Sequence, residues 1–552
     1  MHARTFLIIT SLASFFCSFA QEPGVKPGKP FQKTTKGSSG GDLQFVVGGL
    51  AGTDGRAVLF VEEGVAHKVV RLDASLQPNE ELALSQLTFD GKKWDGITPI
   101  INGNELHVLF VSNGKKSCDF GVANVELSGP LTLSGFQKVA TFDQPFVFDP
   151  QIAISRKSLP DLIIYDNGAS FDHTDRVAVS PDGSHYLIDY CTRDTKGNKK
   201  FWYAVLNKDL TPAWSGVKDL PFPDPRSKIH QVALDNSGRI ILLTYVFTCG
   251  SPEQMSDKQC HEMHLTVLDH KGERMKDMLV DKDFVSSARV CALSDGGLML
   301  GVRYGALTGQ AGELLRIDTA ITKLKNTPLV DQRVPAIHKV KLTTFGSPDA
   351  DPKKKTSASR ATAKTPDEIV DVLPAWNGGA LLIEEFHDPE MQINVGDAIA
   401  MRHLNGAIRA TYVDAHDSIG WQQTVDRAFM TTAGEGFESI GYALNNDGLL
   451  IAYNTTPGGL AAINAPAEAE GESKKNKKDK APMAEPSALH VAMIGRDGKM
   501  ILDKSVMIPP KGFTECPMSL VTNADHSAVW ISSFDRDKSH NYLEVDPPAF
   551  VK

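Results

Sequence analysis

No stretch of this 552-residue chain is both long and apolar enough to cross a bilayer as a helix, which takes about 20 consecutive apolar residues. Charge of one sign is scarce too: a formal net charge of -9 on a chain this long nominates neither a nucleic-acid surface nor a basic membrane face. Catalytic signatures are missing. There is no His-Glu-x-x-His pair, no Gly-x-x-x-x-Gly-Lys phosphate loop and no EF-hand loop. Leu293-Ser294-Asp295-Gly296-Gly297 does not continue as a sialidase Asp box would. Nothing reads as a long amphipathic helix. These absences assign no cofactor and no metal and lean against an enzyme. What is present, 41% hydrophobic and 23% charged residues, can bury a large core and does not describe a disordered chain.

The N-terminus carries a targeting pattern. Arg4 is followed by a short apolar core from Phe6 to Phe16 and by Ser18-Phe19-Ala20, small residues at the cleavage-site positions, so residues 1–20 read as a removed signal peptide. The apolar run is too short for an anchor. Cys17 follows the bulky Phe16, which argues against a lipidated cysteine. Residues 21–42, rich in Pro, Gly, Lys and Ser, read as a flexible leader, because they bury too little apolar surface to offset their ordering entropy. The chain is therefore expected to be exported, and periplasmic, outer-membrane-associated or extracellular, with no transmembrane segment once mature.

From about Leu43 onward one unit recurs: apolar run, tight polar turn, apolar run, then a further run and turn. In Ser180-Pro181-Asp182-Gly183 the proline pre-sets φ and the glycine tolerates φ > 0, so the flanking strands fold back antiparallel. Eight candidate hairpins follow this pattern. They centre on Gly55, Gly103, Gly183, Gly238, Asp295-Gly296-Gly297, Asn377-Gly378-Gly379, Asn446-Asp447-Gly448 and Ala524-Asp525-His526. Their spacing of about 50 to 80 residues is long for compact propeller blades but fits blades with insertions. β-Repeats without helices argue for radial closure, which protects sheet edges. The expected fold is all-β, a single β-propeller of seven or eight four-stranded blades over residues 43–546. Its last unit, Pro517 to Val545, is short for four strands, so closure would borrow a strand from the N-terminal region.

Six cysteines remain after residue 20, an even number that permits disulfides in an oxidising compartment. Cys249 and Cys260 flank a polar loop between two apolar runs that would pair, and a bridge across that loop mouth is the expected disulfide. Cys260, His261 and His264 include metal-ligand types, but the alternation of Met263, Leu265 and Val267 with His264 and Thr266 sends successive side chains to opposite faces, against a shared ion.

Aligning the hairpins on Gly183, Gly238, Gly297 and Gly379 puts apolar residues four and six positions upstream and Asp175, His230, Arg289 and Asp371 eight upstream. If these strands are innermost, the four polar side chains ring one mouth of the central channel. Wet strand ends would give a similar pattern, and the Gly448 unit carries Ile440 in that register.

The segments SPDGSHYLIDY, FWYAVLNKDLTPAW, KIHQVALDNSGRIILLTYVF, HLTVLDHKGE and DVLPAWNGGALLIEEF together resemble an uncharacterised family of exported, propeller-like proteins of Gram-negative bacteria. The SPDGS element also resembles the short repeat of periplasmic Tol-associated propellers. The resemblance implies fold and compartment and brings no catalytic motif with it. The function expected is a non-catalytic binding or scaffold propeller of the cell envelope, with an envelope protein or glycan as partner and no nucleic acid. The alternative is a propeller hydrolase or lyase acting on an extracellular polymer from the channel mouth.

Two stretches break the repeat, residues 349–366 and 465–486, each with a lysine cluster, Lys353 to Lys355 and Lys474 to Lys480. Both read as disordered insertions, because their low apolar content and mixed charge do not repay an ordering cost of about 1 to 2 kcal/mol per residue. Deleting Lys353 to Thr365 or Glu468 to Ala484 should leave the Tm nearly unchanged, as a surface loop's length enters only through a small closure term. A deletion that unfolds the protein in a thermal melt contradicts this.

Overall fold

The computed structural model describes residues 25–29, 31–32, 44–51, 56–63, 66–145, 177–193, 198–223, 227–247, 261–269, 275–281, 285–304, 312–329, 368–395, 398–431, 440–459, 487–507, 514–522, 529–534 and 539–546. Their strands form antiparallel sheets whose main members are consecutive in sequence. Blade 1 runs Gln44–Ala51, Ala57–Glu63, Ala66–Leu72, Pro78–Ala83, and blade 2 runs Lys92–Asn102, Glu105–Asn113, Cys118–Val125, Leu133–Phe142, with Leu87–Phe89 added beside its first strand. Blade 3 is Val177–Val179, His185–Arg193, Asn198–Asn207, Pro212–Pro223; blade 4 is Ser227–Leu234, Ile240–Phe247, His261–Leu268, Met275–Asp281. Blade 5 is Val285–Ala292, Leu298–Tyr304, Gly312–Ile317, Lys323–Leu329; blade 6 is Glu368–Pro374, Ala380–Val395, Ala398–Val413, Ile419–Val425, with Phe429–Thr431 added. Blade 7 is Gly441–Leu444, Gly448–Thr455, Ala488–Gly495, Met500–Met507. These seven blades of consecutive strands are joined by an eighth, composite sheet of Thr514–Thr522, Val529–Phe534 and Ser539–Val545. The fold is a β-propeller, almost wholly strand among the described residues, with one 3-10 turn at Trp376–Gly378.

The sequence hairpins are the first two strands of each sheet. Second strands such as Ile240–Phe247 and Leu298–Tyr304 are apolar almost without a break, because a blade between two neighbours is covered on both faces. Fourth strands sit at the rim, and Pro78–Ala83 alternates half-buried and exposed residues as an edge does. Eight apolar clusters fill the eight seams between successive sheets. The seam that closes the ring packs Val46, Leu59 and Val61 of blade 1 on Trp530 and Tyr542 of the composite sheet.

Residues 21–42 do not all stay a free leader. Val25–Pro27 pairs with Leu543 to Val545 and Phe31–Gln32 pairs with Ser539 and His540, so the N-terminal region supplies the outer strand of the closing sheet. The reason is an unfinished edge: three C-terminal strands leave a row of open backbone groups. Proline suits such a rim position, where its missing N–H faces solvent. Lys26 adds an ion pair to Glu544 at 3.1 Å.

In an antiparallel blade the first-to-second and third-to-fourth turns open at the same end, and at that end the blades are braced to one another. Asn102 donates to the Lys208 carbonyl at 2.8 Å, Arg239 to the Thr319 carbonyl at 2.9 Å, Lys325 to the Asp417 carbonyl at 2.7 Å and Trp421 to the Arg496 carbonyl at 2.8 Å. Aspartate side chains shape the turns from within: Asp235 Oδ1 accepts from the backbone of Ser237 at 2.9 Å and of Arg239 at 2.7 Å. Trp214 lies over Gly238 and Trp421 over Gly498, turn glycines of the next blade at φ +81 and +79. A Cβ there would meet the indole at 2.4 and 2.6 Å, so only glycine admits both the left-handed backbone and the covering ring.

Asp349 to Pro366 falls between the last strand of blade 5 and the first of blade 6, and Ala465 to Pro486 between the second and third strands of blade 7; both lie outside the described residues. So do Cys249 and Cys260, although the flanking Phe247 and His261 are antiparallel partners.

Deleting residues 21–32 should destabilise the protein by a few kcal/mol, from lost strand hydrogen bonds worth about 0.5–1.5 kcal/mol each and an unprotected edge. The checks are a lowered urea midpoint and faster hydrogen exchange across Ser539–Val545. An unchanged midpoint contradicts the closing role of the N-terminal strand.

Candidate axial site

First strands touch one another around the axis, and several of these contacts use a specific device. Gly48 of blade 1 meets Pro99 of blade 2, where a Cβ would lie 2.6 Å from the ring, and Gly441 of blade 7 meets the Pro517 carbonyl of the composite sheet. Between blades 4 and 5 the device is polar: the Gln231 amide accepts from Val290 N at 2.8 Å and donates to Val290 O at 3.0 Å, imitating a neighbouring strand. Ser287 of blade 5 accepts from Ile369 N of blade 6 at 2.9 Å, and Arg289 Nε donates to Val370 O at 3.2 Å. Tyr442 of blade 7 donates to Asp371 Oδ2, and Asp371 Oδ1 accepts from Val372 N at 2.8 Å.

Three of the four residues expected at a channel mouth, His230, Arg289 and Asp371, lie on consecutive first strands and are half-buried. Asp175 lies outside the described residues. Arg289 and Asp371 are equivalent, each four residues before a turn residue, Leu293 or Ala375, whose N–H bonds the carbonyl four residues ahead. The corresponding turn residue in blade 4 is Asp235, which makes Gln231 the equivalent of Arg289. The sequence alignment is therefore off by one in blade 4. Its cause is the turn: the left-handed glycines are Gly183, Gly238, Gly296 and Gly378, so Gly297 and Gly379 stand one place too late. A slip of one flips the face. Val232 and Leu234 accordingly pack back on blade 3, whereas Cys291 packs forward on blade 6. His230 still joins the set, because the register shift between Ile229 and Gln231 leaves it as a bulge residue. Arg289 Nη1 donates to His230 Nε2, and the imidazole packs edge-on to Tyr245 at 5.2 Å.

A second polar set escaped sequence reasoning. Glu384 and Glu385 are adjacent on the second strand of blade 6, so they point to opposite faces. Glu384 receives Arg303 Nε of blade 5 at 2.7 Å and Arg409 Nε at 2.8 Å, with Arg303 and Glu384 side chains both 0% exposed. Glu385 receives Arg427, which also donates from Nε to Asn454 O of blade 7 at 2.9 Å. Burial pushes the Glu385 carboxyl upward, and the Arg427 charge opposes it. Two carboxylates inside the apolar run LLIEEF were the available signal, since a buried charge requires a partner.

His264, weighed as a metal ligand, instead has Asp277 Oδ2 at 2.8 Å from Nδ1 and Glu262 Oε2 at 3.5 Å from Nε2. Among the described residues no three His, Cys, Asp or Glu side chains gather as an ion site. Cys118 and Cys291 are buried and Cys191 is half-buried, and the Cys118 Sγ lies 3.4 Å from the Tyr190 hydroxyl.

No family model and no curated protein matches the chain. Among solved structures it is similar to a protein of unknown function from Bacteroides caccae, with 9% identity, 69% of this chain and 93% of that chain covered and a TM-score of 0.27. A protein of unknown function from Dyadobacter fermentans gives 10% identity, 68% and 97% coverage and a TM-score of 0.28. Prolyl oligopeptidase B from Galerina marginata gives 8% identity, 89% and 56% coverage and a TM-score of 0.37.

Glu384→Gln should destabilise the fold by about 3–5 kcal/mol, because it leaves two buried guanidiniums without their countercharge. Chemical denaturation checks the size. A loss below about 1 kcal/mol, the range of exposed pairs, contradicts the buried geometry.

Proposed function

We propose that this chain is an exported, non-catalytic binding or scaffold propeller of the bacterial envelope, with an envelope protein or glycan as its partner. The observation that carries this reading is what the axial polar groups bond to. Gln231 and Arg289 reach the backbone of the next blade, and Asp371 accepts from Tyr442, so these groups serve to hold blades in register. Acid–base work on a substrate would call for carboxylates or a histidine converging on a reacting atom at hydrogen-bond reach. The signal-peptide pattern of residues 1–20 supports export.

The end away from the braced turns is the better binding face. Connections between blades and from second to third strands emerge there, and loops on a rigid scaffold are where binding residues concentrate. The turn end, by contrast, already uses its carbonyls to join neighbours, as at Lys208, Thr319 and Asp417.

The test is capture from envelope extracts by the whole chain, followed by direct binding to the purified partner. Deleting Glu468 to Ala484 should weaken that binding, and Asn102→Ala at the turn end should leave it intact. Binding lost only with Asn102→Ala contradicts the assignment of faces. Turnover of an envelope polysaccharide or peptide that disappears in Asp371→Asn contradicts the non-catalytic reading and favours a hydrolase or lyase.

A further inference from the structure

One diagonal across the third and fourth strands is reused around the rim. In blade 1 Lys68 lies opposite Ala83, and its ammonium reaches Glu81, two residues earlier on the fourth strand, at 3.0 Å. In blade 5 Glu313 lies opposite Pro328 and bonds Asn326. Blades 4 and 7 place a histidine at this position. His264 lies opposite Leu279 with Nδ1 2.8 Å from Asp277 Oδ2, and His490 lies opposite Ser505 with Nδ1 3.9 Å from Asp503 Oδ1.

The surroundings of His264 favour the imidazolium. His264 has a carboxylate at each nitrogen, Asp277 on the fourth strand and Glu262 at 3.5 Å on its own, and only the doubly protonated ring can donate to both. Its lateral neighbour on the second strand is the neutral Thr244, and blade 3 contributes the Phe222 ring at 4.9 Å. Thr266 donates to the other oxygen of Asp277 at 2.8 Å, which fixes the carboxylate. His490 lies 5.4 Å from the Tyr453 ring of the second strand, whose hydroxyl donates to Asp503 Oδ1 at 2.9 Å. Asp426 and Arg427, on the connection into blade 7, are the further charges acting on that hydroxyl.

We propose that His264 is a pH-responsive latch on the rim strand Met275–Asp281, engaged when the imidazole carries a proton and loosened when it loses it. Burial draws the His264 proton affinity down, but Asp277 and Glu262 outweigh it and hold the ring above its ordinary value. Burial pushes Asp277 up, and His264 with Thr266 outweigh that and hold it low. The signs define the window. A histidine raised by folding stabilises fully below its unfolded value of about 6.5, and the contribution is lost as pH rises through the folded value. A depressed carboxylate stabilises above its unfolded value of about 3.9, and that is lost as pH falls through the folded one. The latch is therefore engaged at mildly acidic pH and open in alkali. Lys68–Glu81 is a built-in comparison, because it makes the same diagonal without a histidine.

Hydrogen exchange of the full chain, corrected for intrinsic rates, tests this at pH 6 and pH 8.5. Exchange in 275–281 should speed up severalfold at the higher pH while Pro78–Ala83 stays level. His264→Gln should abolish the pH response in 275–281. An equal response in both strands, or one in 275–281 that survives His264→Gln, overturns the proposal. Should the variant fail to fold, NMR titration of the wild-type His264 imidazole decides: a midpoint above about 6.5 supports the latch, and a midpoint at or below it overturns it.

Discussion

First strands of neighbouring blades must touch around the axis, and the rest of the structure depends on that contact. A ring closes only if every seam closes, so a poor fit at one blade propagates to all. The chain meets the requirement in two chemistries. Gly48 against Pro99 and Gly441 against Pro517 let backbone approach ring or carbonyl directly. Gln231, Ser287, Arg289 and the Asp371–Tyr442 pair bridge the seams of blades 4 to 7 with hydrogen bonds. Buried backbone groups at those seams are thereby satisfied, as a water-poor interior demands.

The same arc of blades holds the Arg303–Glu384–Arg409 and Arg427–Glu385 pairs. Ion pairs in the interior are costly to desolvate, and apolar residues of similar shape would often be as stable. Their effect here is to make the order of blades 5, 6 and 7 specific, since Glu384 fits the guanidinium of blade 5 and Glu385 bonds the arginine that leads into blade 7. Sealing each seam is apolar work, from Phe60 and Trp94 between blades 1 and 2 to Val46 and Tyr542 at closure.

Much of the architecture was legible because turns are local. Pro181-Asp182-Gly183 or Asn446-Asp447-Gly448 can be read from backbone preferences alone, and every hairpin so placed is a real inner pair. What was not legible depends on geometry beyond the turn. The one-residue difference between Gly238 and Gly297 hid Gln231, which takes the register of Arg289, and no sequence period reveals the bulge that keeps His230 beside Arg289. Tyr442 was missed because a tyrosine in an apolar run reads as core. The short last unit pointed to a borrowed N-terminal strand, but not to Val25–Pro27, whose composition describes a linker until a bare edge across the chain gives it a partner.

A fold held by seam contacts and closed by its own N-terminal region behaves as one body. The claim beneath this is ring closure through the composite sheet. Lys26 and Glu544 are direct partners across its last pair, at a Cα separation that antiparallel strands set within disulfide range. The most direct measurement is disulfide trapping in the double variant Lys26→Cys, Glu544→Cys, read by mass mapping under mild oxidation. Closure predicts rapid, near-complete cross-linking of residues 26 and 544 within single chains, with the Tm raised; thiols that stay free, or link only between chains, contradict it.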